Sequence, residues 1–211
     1  MTSTVVVFLV VASIFSVGDW RAVQAAKKSF EYVCKPLATV GFLAVAIAIS
    51  NAESLPQTWR IFALVFCLLG DVFLMLPRDA FVPGLASFAI AQICFAVSLL
   101  NEDVTTLRLL IGLVIVVPAT LVLARQFLCH ISTSGHKELV LPVMVYMVVI
   151  AAMATSAIAG ATAVGIVGAI FFMLSDSLIA EQRFVKERSW QPVGIMVTYH
   201  VALAGLALGL V

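Results

Sequence analysis

Eight apolar runs separated by short polar connections leave this chain one kind of architecture. Crossing the hydrocarbon of a bilayer takes roughly 17 to 25 mostly apolar residues in a helix. The runs fall near 4–20, 36–52, 59–76, 81–100, 109–124, 139–158, 160–180 and 193–211. They predict an all-α fold, a polytopic transmembrane bundle of eight helices making a single domain over residues 1–211. Composition agrees: 63% of residues are hydrophobic and 11% charged, outside the range of water-soluble globular domains. The connections are too short to hold a soluble domain, so any site has to be built from the helices themselves.

The basic residues give an orientation. Of the 12 Lys and Arg, ten follow the first, third, fifth and seventh runs, from Arg21 to Lys35, at Arg78, at Arg125 and Lys137, and from Arg183 to Arg188. Only Arg60 and Arg108 fall on the other side. The positive-inside rule therefore puts the odd connections in the cytoplasm and both termini on the non-cytoplasmic side. The first run is read as a retained helix, because its positive charge follows the apolar stretch where a signal peptide would carry it before.

Several function classes drop away. Cys34, Cys67, Cys94 and Cys129 have no paired spacing, so neither a disulfide framework nor a zinc ribbon is indicated, and they read as packing residues. His130 and His136 fall in a polar connection and read as solvated, which leaves too few histidines in the spans for a three-ligand zinc site. No metal or other cofactor is expected. No basic patch with interleaved aromatics is present, so nucleic acid is not an expected partner.

Small residues suggest how the helices pack. Gly205-Leu206-Ala207-Leu208-Gly209 is a GxxxG pattern, and Gly160, Gly165 and Gly168 give the seventh helix a small-residue face; both permit close approach of helices in lipid. Pro118 reads as a kink.

Two runs are interrupted by a carboxylate, at Leu69-Gly70-Asp71-Val72 and Leu174-Ser175-Asp176-Ser177. An Asp at the centre of a membrane helix costs about 2.5–3.5 kcal/mol on insertion scales, so such a residue is retained for a partner or a function. Each precedes an Arg by seven residues, Arg78 and Arg183, which sets both carboxyls about 10 Å inside the cytoplasmic anchor, two turns from an Arg on the same face. Matching spacing on two helices of one direction suggests a parallel duplication, although the fourth and eighth helices do not align.

Counting helical rise from the same side brings Tyr199 and His200 of the eighth helix and Tyr146 of the sixth to a similar depth, with Gln92 of the fourth deeper and Lys35 opening the second. Polar side chains in apolar helices turn toward the bundle interior. The expectation is a cytoplasm-facing pocket lined by Asp71, Asp176, Tyr146, Tyr199 and His200. Interhelical hydrogen bonding is the structural alternative for the aspartates and tyrosines, packing for His200, and interfacial anchoring for Arg78 and Arg183. Asp19, beside Trp20 and Arg21, reads as a hydrated helix end.

The sequence resembles the YhhN-like membrane proteins, which include the TMEM86 lysoplasmalogenases. The resemblance rests on Lys35-Pro36-Leu37, Leu69 to Met75 around Gly70-Asp71, Gly84-Leu85-Ala86-Ser87-Phe88, Gly168 to Leu178 around Ser175-Asp176, and Thr198-Tyr199. Two places depart from the family pattern: Gln92 and Phe95 stand where a histidine and a tyrosine are common, and Leu203 where a glutamine is common.

The resemblance implies hydrolysis of the vinyl ether of a lysophospholipid substrate, giving a fatty aldehyde and a glycerophospho-base. A carboxyl pair suits that chemistry, because protonation of the vinyl carbon produces an oxocarbenium ion, the kind of cation that glycosidases meet with one acid and one carboxylate. Two carboxyls sharing a low-dielectric site cannot readily both ionise, which leaves one as general acid. Asp71 and Asp176 are the expected catalytic pair. Tyr146, Tyr199 and His200 are candidates for positioning water or the leaving hydroxyl, Lys35, Arg78 and Arg183 for the substrate phosphate, and Gln92 for a further contact with substrate. The competing class is a proton-coupled transporter using the same aspartates as a relay, with an intramembrane aspartic protease as a third. Minimal loops favour a bacterial inner membrane.

Overall fold

The computed structural model describes residues 2–49, 54–133 and 137–209. Every described element is helical: α1 Ser3–Gln24, α2 Lys28–Ile49, α3 Leu55–Met75, α4 Phe81–Leu100, α5 Thr106–Thr133, α6 Val140–Gly160, α7 Ala163–Phe184 and α8 Gln191–Leu208, with a 3-10 turn at Lys137–Leu139 before α6. Among the described residues, these eight helices are long and apolar enough to cross a membrane. The protein is an integral, multi-pass membrane protein.

Local chemistry sets several boundaries. Pro56 and Pro192 stand in the first turns of α3 and α8, where the missing N–H is no loss. Thr162 caps α7, its hydroxyl accepting from the Gly165 amide at 3.3 Å. Several helices overrun their apolar runs, α2 and α5 among them. The first turns of α2 are polar, so Lys35 and Pro36 lie inside the helix rather than opening it. At the other extreme, α5 continues through the stretch expected to be a polar connection, and His130 is an exposed helical residue. His136 and residues 50–52, 210 and 211 lie outside the described residues.

Helices adjacent in sequence pair closely, α1 with α2, α3 with α4 and α7 with α8, while α4 and α6 pack across the bundle and α5 leans on the outside of α6. Phe95, Phe172, Leu64, Met153, Leu203 and Leu206 are fully buried between these layers. The outer face of α5 exposes Val114, Leu121 and Val122, as a lipid-facing helix requires.

The α7–α8 contact is backbone to backbone. A Cβ added at Gly168 would lie 2.7 Å from Leu206 N and 2.8 Å from Gly205 C, and one at Gly205 would lie 2.6 Å from Gly168 Cα. The small-residue faces read from the sequence thus meet each other. Gly168→Val is expected to destabilise the fold by about 1–3 kcal/mol, measured as a lower unfolding midpoint in detergent. The same change at Gly194, where an added Cβ meets the ends of side chains at 3.0 Å or more, should cost less.

Candidate active site

The close α7–α8 seam and the α2–α3 pair leave a gap between them, and the polar residues of the spans turn into it. The result is a cavity of about 550 Å3 lined from α1, α2, α3, α4, α7 and α8. Its mouth carries Lys28, Glu31, Gln182, Arg183 and Glu187, at the end of the bundle that holds the odd connections; Lys35, Asp71, Asp176 and Tyr199 line it further in. The structure brings both aspartates to one space.

Asp71 is fully buried and held from three sides. Thr39 and Tyr199 both donate their hydroxyls to its Oδ2, at 2.6 and 2.9 Å. Lys35 Nζ forms an ion pair with Oδ1 at 3.4 Å. Lys35 and Thr39 are four residues apart on α2, which stacks them on one face and aims a cation and a hydroxyl together at α3. A carboxylate accepting charge-assisted bonds in a water-poor site is tightly fixed. Tyr199 is itself wedged edge-on against Phe88 and Phe172, at ring centroid distances of 5.9 and 5.7 Å.

Asp176 has a different environment. It accepts one hydrogen bond, from the Tyr146 hydroxyl to Oδ2 at 2.6 Å. Among the described residues, no Lys or Arg lies within ion-pair distance of it. It faces a second space as well, a narrow crevice of about 70 Å3 between α4, α5, α6 and α7. That crevice is lined by Leu85, Leu123, Phe127, Val143, Met147 and Ile150 among others, and its polar lining is confined to Thr120, Tyr146, Asp176 and Ser177. Asp176 and its neighbours Leu74, Phe81, Phe88 and Ile179 belong to both spaces.

The other predicted site residues divide. Arg183 lines the cavity mouth, pairs with Asp79 at 2.7 Å and lies 4.1 Å over the Phe81 ring. Arg78 is exposed and lines a depression beside the α3–α4 connection rather than the cavity. The helix α3 ends at Met75, three residues too early to carry Arg78 onto the Asp71 face. His200 and Gln92 are buried but line neither space. His200 Nδ1 accepts from Trp20 Nε1 at 2.9 Å, which puts its proton on Nε2. Gln92 sits near the Tyr146 hydroxyl, with neither end of its amide completing a hydrogen bond among the described residues.

Asp19 is a correction. Because α1 continues to Gln24, this residue is more than a turn inside the helix and fully buried, not a hydrated end. Neither of its carboxyl oxygens has a hydrogen-bond partner among the described residues, and it lies within electrostatic reach of Lys35 and Asp71. Sequence reasoning also missed Thr39 as a ligand of Asp71; its signal was a hydroxyl one turn beyond Lys35 in an apolar helix. Among the described residues, no three His, Cys, Asp or Glu side chains are grouped to hold a metal ion.

The chain is similar to proteins with a named activity. It is 33% identical over 170 residues to the human lysoplasmalogenase TMEM86B, covering 80% of this chain and 69% of the relative. It is 30% identical over 190 residues to human lysoplasmalogenase TMEM86A, covering 84% and 76%. To a Mycobacterium tuberculosis lysoplasmalogenase it is 30% identical over 172 residues, 78% of this chain, and there it spans 65% of the relative's length. No solved structure matches the chain. Residues 30–210 match the model of the YhhN family, a stretch that includes Lys35, Asp71, Tyr146, Asp176 and Tyr199, and the chain belongs to that family.

Proposed function

We propose that this protein is a membrane hydrolase that cleaves the vinyl ether bond of a lysoplasmalogen, with Asp176 as general acid and Asp71 as the anionic partner. The observation that carries the proposal is the unequal setting of two carboxyls on one cavity: Asp71 is ion-paired with Lys35, and Asp176 is held by a single tyrosine hydroxyl. Environment sorts paired carboxyls into acid and anion in this way. The names of the family relatives supply the substrate.

In the reaction, Asp176 gives its proton to the vinyl carbon remote from the ether oxygen, and the alkene's electrons form the new C–H bond. The ether-bearing carbon becomes an oxocarbenium ion, stabilised by the Asp71 carboxylate. Water adds to that carbon and returns a proton to Asp176. In the resulting hemiacetal the hydroxyl loses its proton as its oxygen forms the aldehyde C=O, the bond to the glycerol oxygen breaks, and that oxygen takes up a proton, releasing a fatty aldehyde and a glycerophospho-base. Tyr146 keeps Asp176 Oδ2 occupied and leaves Oδ1 for the proton; Thr39, Tyr199 and Lys35 hold Asp71 still. Preorganised charge of this kind needs no rearrangement as the cation develops.

The cavity mouth lies on the side that charge bias assigns to the cytoplasm, so the head group enters from there with both chain termini on the opposite side. Arg183 and Lys28 supply cations for its phosphate.

The test is a product assay with purified protein and choline or ethanolamine lysoplasmalogen. Fatty aldehyde is expected from both vinyl ether lipids, and none from the saturated alkyl ether analogue, which has no double bond to protonate. Proton-coupled uptake into liposomes without aldehyde release would favour a carrier instead.

A further inference from the structure

The cavity and the crevice differ in kind, and one carboxyl stands at their junction. On one side lies a wide, charged space open at the end of the bundle. On the other lies a narrow apolar slot that runs toward α5, the outermost helix. From Thr120 to Phe127 its α5 wall spans eight residues, about 10 Å along the axis. Its walls come from α4, α5, α6 and α7 with Leu74 of α3, and Phe88, Phe127, Met147, Ile150 and Met173 close it in. A slot this narrow suits an unbranched chain and excludes a head group, and ligand sites of this kind are apolar with a few polar groups that fix orientation.

We propose that the crevice between α4, α5, α6 and α7 binds the first part of the substrate's hydrocarbon chain, with Leu123 of α5 as a specificity-determining wall. The proposal rests on the lysoplasmalogenase reading for the identity of the chain. It follows from continuity: an amphiphile with its charged end in the cavity and its chain in the crevice must cross between them where Leu74, Phe81, Phe88, Asp176 and Ile179 line both, and Asp176 is the polar side chain of that set. The bond at that crossing is the one joining head to chain, which in a lysoplasmalogen is the vinyl ether. Apolar lining on the chain side and charge on the head side then fix which atom meets the carboxyl, without any side chain having to recognise the double bond.

Two measurements test this together. The first is the steady-state kinetics of Leu123→Trp, which fills the crevice from the half-buried α5 side, against Val122→Trp, on the exposed face of the same helix. Leu123→Trp is expected to raise KM for a long-chain lysoplasmalogen at least about tenfold, the scale on which apolar pockets discriminate, with Val122→Trp like the parent. The second is photo-crosslinking of the parent with a saturated alkyl ether lysophosphatidylcholine carrying a diazirine on the chain near the ether. Labels are expected on Leu123, Met147 or Ile179 and should disappear with excess unlabelled lysolipid.

Failure of the inference and failure of the function separate cleanly. Aldehyde release by the parent, with labels only on outward residues such as Val122 and an unchanged Leu123→Trp, overturns the crevice assignment and leaves the activity standing. Competable crevice labels with no aldehyde support the crevice as a chain site and overturn the hydrolase. Neither labels nor aldehyde overturns both.

Discussion

Asp176→Asn is expected to lower kcat for lysoplasmalogen by about 10^2- to 10^4-fold, the range a positioned general acid contributes, while KM changes little. The substitution is nearly isosteric. Its amide oxygen can still accept from Tyr146, whose hydroxyl now sits 2.6 Å from Oδ2, so the local packing has no reason to collapse. What disappears is the proton. A steady-state assay on protein that elutes from gel filtration like the parent separates this from misfolding, and a folded Asp176→Asn protein with full kcat would remove Asp176 from the chemistry. Tyr146→Phe should do less harm, because it frees Oδ2 without removing the acid.

The largest expected effect on stability belongs to the other carboxyl. Lys35→Met leaves the fully buried Asp71 with its two hydroxyl donors and no cation at 3.4 Å. Breaking a buried ion pair from one side costs about 3–5 kcal/mol, whereas replacing both partners with neutral groups is often close to neutral. The expected pattern is therefore a strongly lowered unfolding midpoint in detergent for Lys35→Met and most of the loss regained in Lys35→Met/Asp71→Asn. That double variant should nevertheless be inactive, since it has no anion to meet the cation. If Lys35→Met were as stable as the parent, Lys35 would not be the counter-ion of Asp71 in the folded protein.

The eight spans are legible because lipid imposes a length and a composition on each helix that few other constraints impose. Their ends are less so. The polar starts of α2 and the tail of α5 carry Lys28, Lys35 and His130, and hydropathy marks such residues as connection even where the helix continues. The site was partly legible for a related reason. Counting rise along helices gives depth; Asp71, Asp176 and Tyr199 line one cavity in the structure, whereas Tyr146, expected beside them, lines the crevice instead and reaches Asp176 from there. Rise says nothing of the direction a side chain takes around its helix once neighbours are unknown. His200, next to Tyr199 in sequence, consequently points to Trp20 instead of the cavity, and Gln92 lies behind Tyr146. Spacing along one helix puts Arg78 on the Asp71 face only if α3 extends past Met75, where the chain has already left the helix. Asp19 was misjudged in the opposite sense, by ending α1 too soon.

Vinyl ether cleavage by proton delivery to carbon leaves a mark in its product, because the delivered proton stays on the chain. Turnover of lysoplasmalogen by the purified protein in D2O, with the aldehyde trapped at once by reduction and analysed by mass spectrometry, reads that mark directly. One deuterium at the carbon next to the former ether-bearing carbon is the predicted result. Aldehyde without that deuterium, or no aldehyde at all, would contradict the account.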